Sequence, residues 1–292
     1  MNTLASIVAA IDFSEQARSA AERAALIAQE QRATLRLLHV VSSSSLDDLR
    51  NLVRGSAAVE ESVLDEAHAT LREAADALRN KTGVTAQKEV VTGQVIAVIR
   101  AAAEEADLLV LGARGTNPLR DLVLGTTAER LLRICRRPAL VVKRAPEGAY
   151  GRVIVPVDFS SYSAPALAMA GLVAPHARIS ILHAFRVPFE ARLRIAGATD
   201  DAIRRYCDEQ RQDAVERLDR LITECLPRAQ RAACIVEQGD PSPVILAQAQ
   251  TQAADLIVIG KQGQSRAEEL LLGSVTRHVL TGSTCDVLVV SP

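Results

Sequence analysis

The sequence predicts two tandem, doubly wound α/β domains, each a five-stranded parallel sheet covered by helices on both faces. Three observations predict this. The chain repeats itself over its whole length. Within each half, short β-branched runs alternate with helical patterns. The strand runs are almost continuously apolar, as expected of parallel strands buried on both faces.

The repeat is clear in four places. Ile7–Ser14, with Asp12 near its end, returns as Val153–Ser160 with Asp158. Leu37-Leu38-His39 returns as Ile181-Leu182-His183, and Ala106–Gly112 returns as Ala254–Gly260. Ala139-Leu140-Val141-Val142 returns as Val287-Leu288-Val289-Val290. Each segment recurs 144 to 148 residues later, so the unit is a whole domain and not a short solenoid repeat. Pro146 and Gly148 break both strand and helix at the join. The domains are therefore expected over residues 1–145 and 150–292.

In the first half, strands are expected near 4–12, 33–41, 84–92, 107–112 and 138–143. Val63, Ala67, Leu71, Ala74 and Leu78 recur at helical spacing and form one apolar stripe between the second and third strands. Ala214, Leu218, Leu221 and Cys225 do the same in the second half. Right-handed crossovers then wind the sheet. In such a fold ligands sit beyond the strand C-termini, at the switch point.

Composition narrows the function. Of 292 residues, 48% are hydrophobic, 24% charged and only 2% aromatic, with no Trp. The core is built from Ala, Val, Leu and Ile, and few rings are left for stacking on bases. A net charge of -1 gives no global field for nucleic acid or anionic membranes. Five scattered Cys without a C-x2-C pair indicate neither a disulfide framework nor a zinc site, and are expected as small core residues. No apolar run reaches the roughly 20 residues of a membrane span. No secretory leader is visible, so a cytoplasmic protein is expected.

The chemistry is concentrated after the fourth strand of each half. Gly112-Ala113-Arg114-Gly115 is followed by nine residues and then Gly125-Thr126-Thr127. Gly260-Lys261-Gln262-Gly263 is followed by nine residues and then Gly273-Ser274-Val275. Glycines at a strand exit permit close backbone approach or positive φ. Consecutive backbone N–H groups form an anion nest, and the third glycine opens a helix whose N-terminus suits phosphate. Arg114 and Lys261 flank the loop glycines. Asp121 and Glu269 occupy one shared acidic position, whereas Glu268 aligns with Arg120. No Walker loop, kinase signature, G-x-S-x-G elbow or H-E-x-x-H is present, so binding is better supported than turnover. His39 and His183 read as structural, and Asp12 and Asp158 as either ligand groups or helix caps.

These two G-x2-G-x9-G-[ST] loops, with Asp12 and Asp158 after the first strands, resemble the universal stress protein family in its tandem form. The resemblance covers essentially the whole chain. It implies strand order 3-2-1-4-5 and ATP, carried with Mg²⁺, held by these loops. It further implies that Asp12 and Asp158 contact adenine or ribose and that the backbone of Val40 and Ala184 meets the adenine. Gly112, Arg114, Gly115, Gly125, Thr126 and Thr127 would hold ribose and phosphates in one half. Gly260, Gly263, Gly273, Ser274 and Val275 would do so in the other. Pro118 within the first loop and Asp286 in place of Pro138 depart from strict repetition.

The function expected is a nucleotide-dependent stress regulator acting on a protein partner that the sequence does not name. The rival is a slow ATPase or nucleotide-cleaving enzyme of a related superfold. By the same resemblance the apolar last strands of the two halves are edges, expected to pair as an intramolecular pseudo-dimer. Further assembly into a homodimer is left open.

Overall fold

A computed structural model describes residues 3–52, 57–115, 124–187, 195, 197, 199–226, 232–263 and 271–291. The chain divides into two compact units, Met1–Ala149 and Tyr150–Pro292. Pro118, Arg120, Asp121, Glu268 and Glu269 lie outside the described residues.

The first unit runs β1 (Ser6–Ala10), α1 (Glu15–Gln31), β2 (Thr34–Ser42), α2 (Ser43–Leu52), α3 (Ala57–Thr82), β3 (Gln87–Gly93), α4 (Val95–Glu104), β4 (Leu108–Gly112), α5 (Thr126–Ile134) and β5 (Ala139–Val142). Its strands lie in the order β3-β2-β1-β4-β5, all parallel. The second unit runs β6 (Arg152–Pro156), α6 (Ser163–Val173), β7 (Arg178–Phe185), α7 (Asp200–Cys225), β8 (Ala232–Gln238), α8 (Pro241–Thr251), β9 (Leu256–Gly260), α9 (Ser274–Gly282) and β10 (Asp286–Val290). Its order is β8-β7-β6-β9-β10, again all parallel.

The central strands are sealed on both faces, as continuous apolar runs require. Leu108, Leu109, Val110, Leu256, Ile257 and Val258 are all fully buried. Helix α1 packs with α3, and α4 with α5. The α3 stripe buries Ala67, Leu71, Ala75 and Leu78, so Ala75, not Ala74, carries the middle of the contact. Ala214 and Leu218 are buried on α7, while Leu221 and Cys225 are half-buried.

One carboxylate in each unit clasps the sheet at its N-terminal side. Asp107 Oδ2 accepts from the backbone N–H groups of Ala5 and Ser6, at 2.8 and 3.0 Å. Asp255 Oδ2 accepts from those of Gly151 and Arg152, both at 2.9 Å. These are the Asp residues of the repeated A-D-L-[LI]-V-[LI]-G segment. Each ties the start of the first strand to the start of the fourth, which leaves the opposite, C-terminal ends of the same strands for the site.

The cysteines depart from expectation. Cys135 and Cys285 are buried, but Cys207, Cys225 and Cys234 are half-exposed. Burial and the neighbouring Asp219 push the Cys234 thiol up to about 11, and burial with Glu224 raises that of Cys225. These thiols are chiefly protonated near neutrality, and the thiolate is the nucleophile. Alkylation of Cys234 is therefore expected to stay slow at pH 8 and to accelerate as pH approaches 11. Asp219→Asn should shift that onset to lower pH. Peptide-resolved iodoacetamide labelling reads the outcome, and fast labelling at pH 7 would contradict it.

A second expectation concerns an acid buried in the second unit. Asp286 is 1% exposed and accepts from Tyr150 Oη at 2.7 Å. Removing one partner of a buried hydrogen bond costs about 1–3 kcal/mol. Tyr150→Phe keeps the ring and removes the donor, so urea unfolding should show a loss of that size.

Candidate functional site

The site forms where β1 and β4, or β6 and β9, run out at their C-terminal ends. β1 stops at Ala10, two residues short of the expected end, because Phe13 takes a left-handed turn at φ 64°. Phe159 does the same in the second unit at φ 62°. A non-glycine residue in this region is strained by about 1–2 kcal/mol, and its surroundings must hold it there. His39 does so in the first unit: Nδ1 donates to the Ile11 carbonyl at 2.8 Å, and its ring stacks on Phe13 with centroids 4.2 Å apart. His183 donates to the Val157 carbonyl at 2.8 Å and lies 4.6 Å from the Phe159 ring. Both histidines are thus structural, as the sequence suggested. Their task is to pin the turn that carries the aspartate.

The aspartates are not the helix caps. Ser14 caps α1, its side chain accepting from Ala17 N–H at 3.1 Å. Asp12 stands two residues earlier, with Oδ1 accepting from Ser14 N–H at 3.1 Å in an Asx turn. Asp158 Oδ1 accepts from Ser160 N–H at 3.0 Å and from Ser163 Oγ at 3.2 Å. The other oxygen faces the glycine loop. A Cβ placed on Gly115 would fall 2.6 Å from Asp12 Oδ2, and one on Gly263 would fall 2.6 Å from Asp158 Oδ2.

That distance explains two of the six loop glycines, and it decides between the two roles expected of them. None of Gly112, Gly115, Gly125, Gly260, Gly263 and Gly273 adopts positive φ. Close approach, not backbone conformation, requires most of them. A Cβ on Gly112 would meet the backbone of Gln16 at 3.0 Å, and one on Gly260 would meet Tyr162 Cβ at 2.6 Å. Gly125 and Gly273 are different. They are extended N-caps of α5 and α9, at φ -69° and -58°, without a side-chain cap bond. A Cβ there would make only ordinary contact, at 3.4 Å or more. Neither φ nor packing among the described residues demands glycine at these two positions.

In the second unit the loop, the aspartate and the helix N-terminus converge on a cleft of about 200 Å³. Asp158, Ala184, Gly260, Gly263, Gly273, Ser274 and Val275, all singled out from sequence, line it. One wall is apolar, formed by Pro156, Val157, Leu182, Pro241, Ile245 and Ile259. Tyr162, Ser163, Gln262 and Thr276 complete it. Gly273 N–H returns to the Lys261 carbonyl at 2.9 Å, and Gly125 N–H to the Ala113 carbonyl at 2.7 Å, so the two loops close alike. Lys261 is 5% exposed and is not among the cleft's lining residues, whereas its neighbour Gln262 is. Arg114 is exposed beside Gly115, as are Thr126 and Thr127.

The apolar wall is what sequence reasoning missed. Its signal was present: Gly93–Ile99 recurs as Gly239–Ile245 after the third strand. A Cβ on Gly93 would meet Val98 Cγ2 at 2.8 Å, and one on Gly239 would meet Val244 Cγ2 at 2.8 Å. Asp240 caps α8 through a bond to Ser242 N–H, with Pro241 in its first turn. This tight turn brings Pro241 and Ile245 into the cleft.

A profile of the universal stress protein family matches residues 4–143 and again 149–291. The chain belongs to the universal stress protein family. A universal stress protein of Mycobacterium tuberculosis is 26% identical over 310 residues, covering 97% of this chain and 94% of its own. The universal stress protein YxiE of Bacillus subtilis is 30% identical over 146 residues, 48% of this chain and 99% of that protein. Among solved structures, a universal stress protein from Archaeoglobus fulgidus superimposes with TM-score 0.70 at 20% identity, covering 98% of this chain and 96% of that one. At that identity the likeness concerns the fold, and it extends through both halves of this universal stress protein.

The two kinds of loop glycine should separate by mutation. Gly112→Ala and Gly260→Ala overpack against α1 and α6 and should cost about 1–3 kcal/mol. Gly125→Ala and Gly273→Ala should stay within about 0.5 kcal/mol of wild type. Chemical denaturation of the four variants decides, and equal losses in all four would refute the distinction.

Proposed function

We propose that this universal stress protein binds ATP in each unit and serves as a nucleotide-dependent regulator, with little or slow hydrolysis. The observation that carries the reading is the pair Gly125 and Gly273. Each opens a helix at the rim of the glycine loop, and each lacks a side chain where the fold itself has room for one. A ligand approaching the helix N-terminus accounts for the vacancy, and phosphate is the group that such a terminus favours.

The remaining features of the second cleft support the same ligand. Its volume lies below the roughly 300–1,000 Å³ of sites that enclose drug-sized ligands. It is sized for ring and sugar, with phosphates at the glycine rim. The apolar wall suits adenine, and the Val40 and Ala184 backbone positions suit hydrogen bonds to its edge. An ionised Asp158 or Asp12 accepts but cannot donate, so it fits ribose hydroxyls. Among the described residues no group of three or more His, Cys, Asp and Glu side chains could hold a metal ion. Mg²⁺ would arrive with the triphosphate. No described helix is long and apolar enough to cross a membrane. A cytoplasmic regulator that contacts a protein partner remains the reading we favour.

Ground-state recognition of this kind stabilises the bound conformation by mass action, by about 2.7 kcal/mol at a hundredfold excess over Kd. Fast hydrolysis would further require groups aimed at charge that develops only in the transition state. Two ATP molecules per chain are expected by calorimetry. Gly125→Val with Gly273→Val should abolish both while the protein stays folded. Phosphate release with Mg²⁺ should run far below the ~10 s⁻¹ median of enzymes. Turnover near that median, lost in Asp12→Ala/Asp158→Ala, would replace the regulator by the rival enzyme.

A further inference from the structure

Asp158 reaches the cleft from a turn whose backbone is held on both sides. His183 Nδ1 bonds the Val157 carbonyl just before it, and Phe159 just after it stands at φ 62°. What the backbone leaves undecided is which carboxylate oxygen faces the cleft, because the terminal torsion of an aspartate is broad and roughly two-fold. Two donors decide it. Ser160 N–H and Ser163 Oγ both bond Oδ1, at 3.0 and 3.2 Å. Oδ2 is then the oxygen set against Gly263.

The fold does not ask for a hydroxyl at residue 163. Ser163 is the first residue of α6, is buried, and lines the cleft. Tyr162, not Ser163, stands at the N-cap of α6. Ser163 is tied to the turn by its own backbone, its N–H donating to the Ser160 carbonyl at 3.1 Å. Its hydroxyl has a single proton to give, and that proton goes to Asp158. The repeat places Ala17 at the matching position, buried within α1. There the same turn forms around alanine, with Phe13 left-handed and His39 on the Ile11 carbonyl. A hydroxyl is thus needed neither to make the turn nor to start the helix. Burying one costs free energy unless it is bonded, so what Ser163 adds must be sought in the carboxylate that it bonds.

We infer that Ser163 is a positioning residue for the ligand: it holds Asp158 Oδ1 so that Oδ2 is presented to a ribose hydroxyl, and it thereby sets how strongly the second site prefers a ribonucleotide to a deoxyribonucleotide. The inference rests on the proposed nucleotide reading and assigns a specificity within it. The physical basis is preorganisation. An ionised carboxylate accepts and cannot donate, so Oδ2 favours a ligand that brings a hydroxyl proton. With both protein donors on Oδ1, the carboxylate is ordered in the folded protein before the ligand arrives, and less ordering is left to oppose binding. An analogue that lacks the hydroxyl makes no bond to Oδ2 and draws no benefit from that order. Ser163 therefore acts on the ratio between the two ligands and not on nucleotide affinity in general.

The test uses the full chain carrying Gly125→Val, so that the second site is viewed by itself, and calorimetry with ATP, 2′-deoxyATP and 3′-deoxyATP. At least one deoxy analogue should bind about tenfold more weakly than ATP, the size expected of one hydrogen bond to a charged group. Ser163→Ala should shrink that ratio about threefold, within the range of one neutral hydrogen bond, by weakening ATP and not the analogue. Asp158→Ala should bring the ratio close to one. Ser163→Ala added to Asp158→Ala should change it no further, because a residue that acts through another has no effect once that other is gone. Equal weakening of ATP and both analogues by Ser163→Ala marks a merely structural role and overturns the inference, as does a ratio that Ser163→Ala leaves unmoved. A further change of ratio in the double variant overturns the action through Asp158. ATP and both analogues binding alike with Ser163 intact overturn the inference while nucleotide binding stands. No binding of any of the three to wild-type protein overturns the nucleotide reading itself, and this inference with it.

Discussion

In each unit a carboxylate sits against the Cα of a glycine from the loop after the fourth strand, and most of the site depends on that approach. The loop residue has to be glycine because the space its Cβ would need is filled by Oδ2, 2.6 Å away in both copies. The aspartate has to be short, because one of its oxygens is already fixed in the turn with Ser14 or Ser160. The two strand ends are thereby brought together at the switch point where an open α/β sheet presents its ligand site. The same arrangement limits what can bind. An ionised carboxylate repels phosphate and accepts only from donors. In the proposed arrangement phosphates would lie on the helix side of the loop and a donor-bearing group on the strand side.

Holding the carboxylate there has a cost. Phe13 and Phe159 are bent into the left-handed region, at about 1–2 kcal/mol each. Strain of that kind persists only where neighbours over-determine it. Here a histidine from the adjacent strand bonds the carbonyl just before the aspartate and packs on the bent residue's ring. In the second unit the Arg217 guanidinium also covers the Phe159 ring, 3.8 Å from its centroid. A sheet strand, a turn and a ring contact thus fix one carboxylate, in two copies whose bond lengths agree.

Much of this was legible in the sequence, for definite reasons. The strand order follows from an alternating β/α pattern and the family resemblance. The positions of Asp158 and of the glycines follow from a repeat that preserved their spacing. What the sequence hid is whatever depends on three-dimensional closeness between residues with no pattern of their own. The left-handed turn at Phe13 could not be read, because Phe is a poor candidate for positive φ. Of the two roles read for the glycines, close approach and positive φ, only the first operates at Gly112, Gly115, Gly260 and Gly263, and it is approach to protein atoms. The apolar wall from Pro241 and Ile245 was visible only as a second, fainter repeat around Gly93 and Gly239, whose meaning appears when α8 is seen to open onto the cleft.

Duplication also explains where change was permitted. The histidines that hold the turn, the aspartates that clasp the strands and the loop glycines are the same in both units, whereas Ser163, which also bonds Asp158, has Ala17 as its counterpart. The residue before the second loop glycine carries no such constraint. The bond that closes the loop uses the carbonyl of the preceding residue, Ala113 or Lys261, so this position holds a solvent-facing arginine in one copy and a buried amide in the other. Stabilisation by each site varies as the logarithm of nucleotide concentration over its own Kd. Two equal sites would respond over one concentration range. Unequal sites would respond over two.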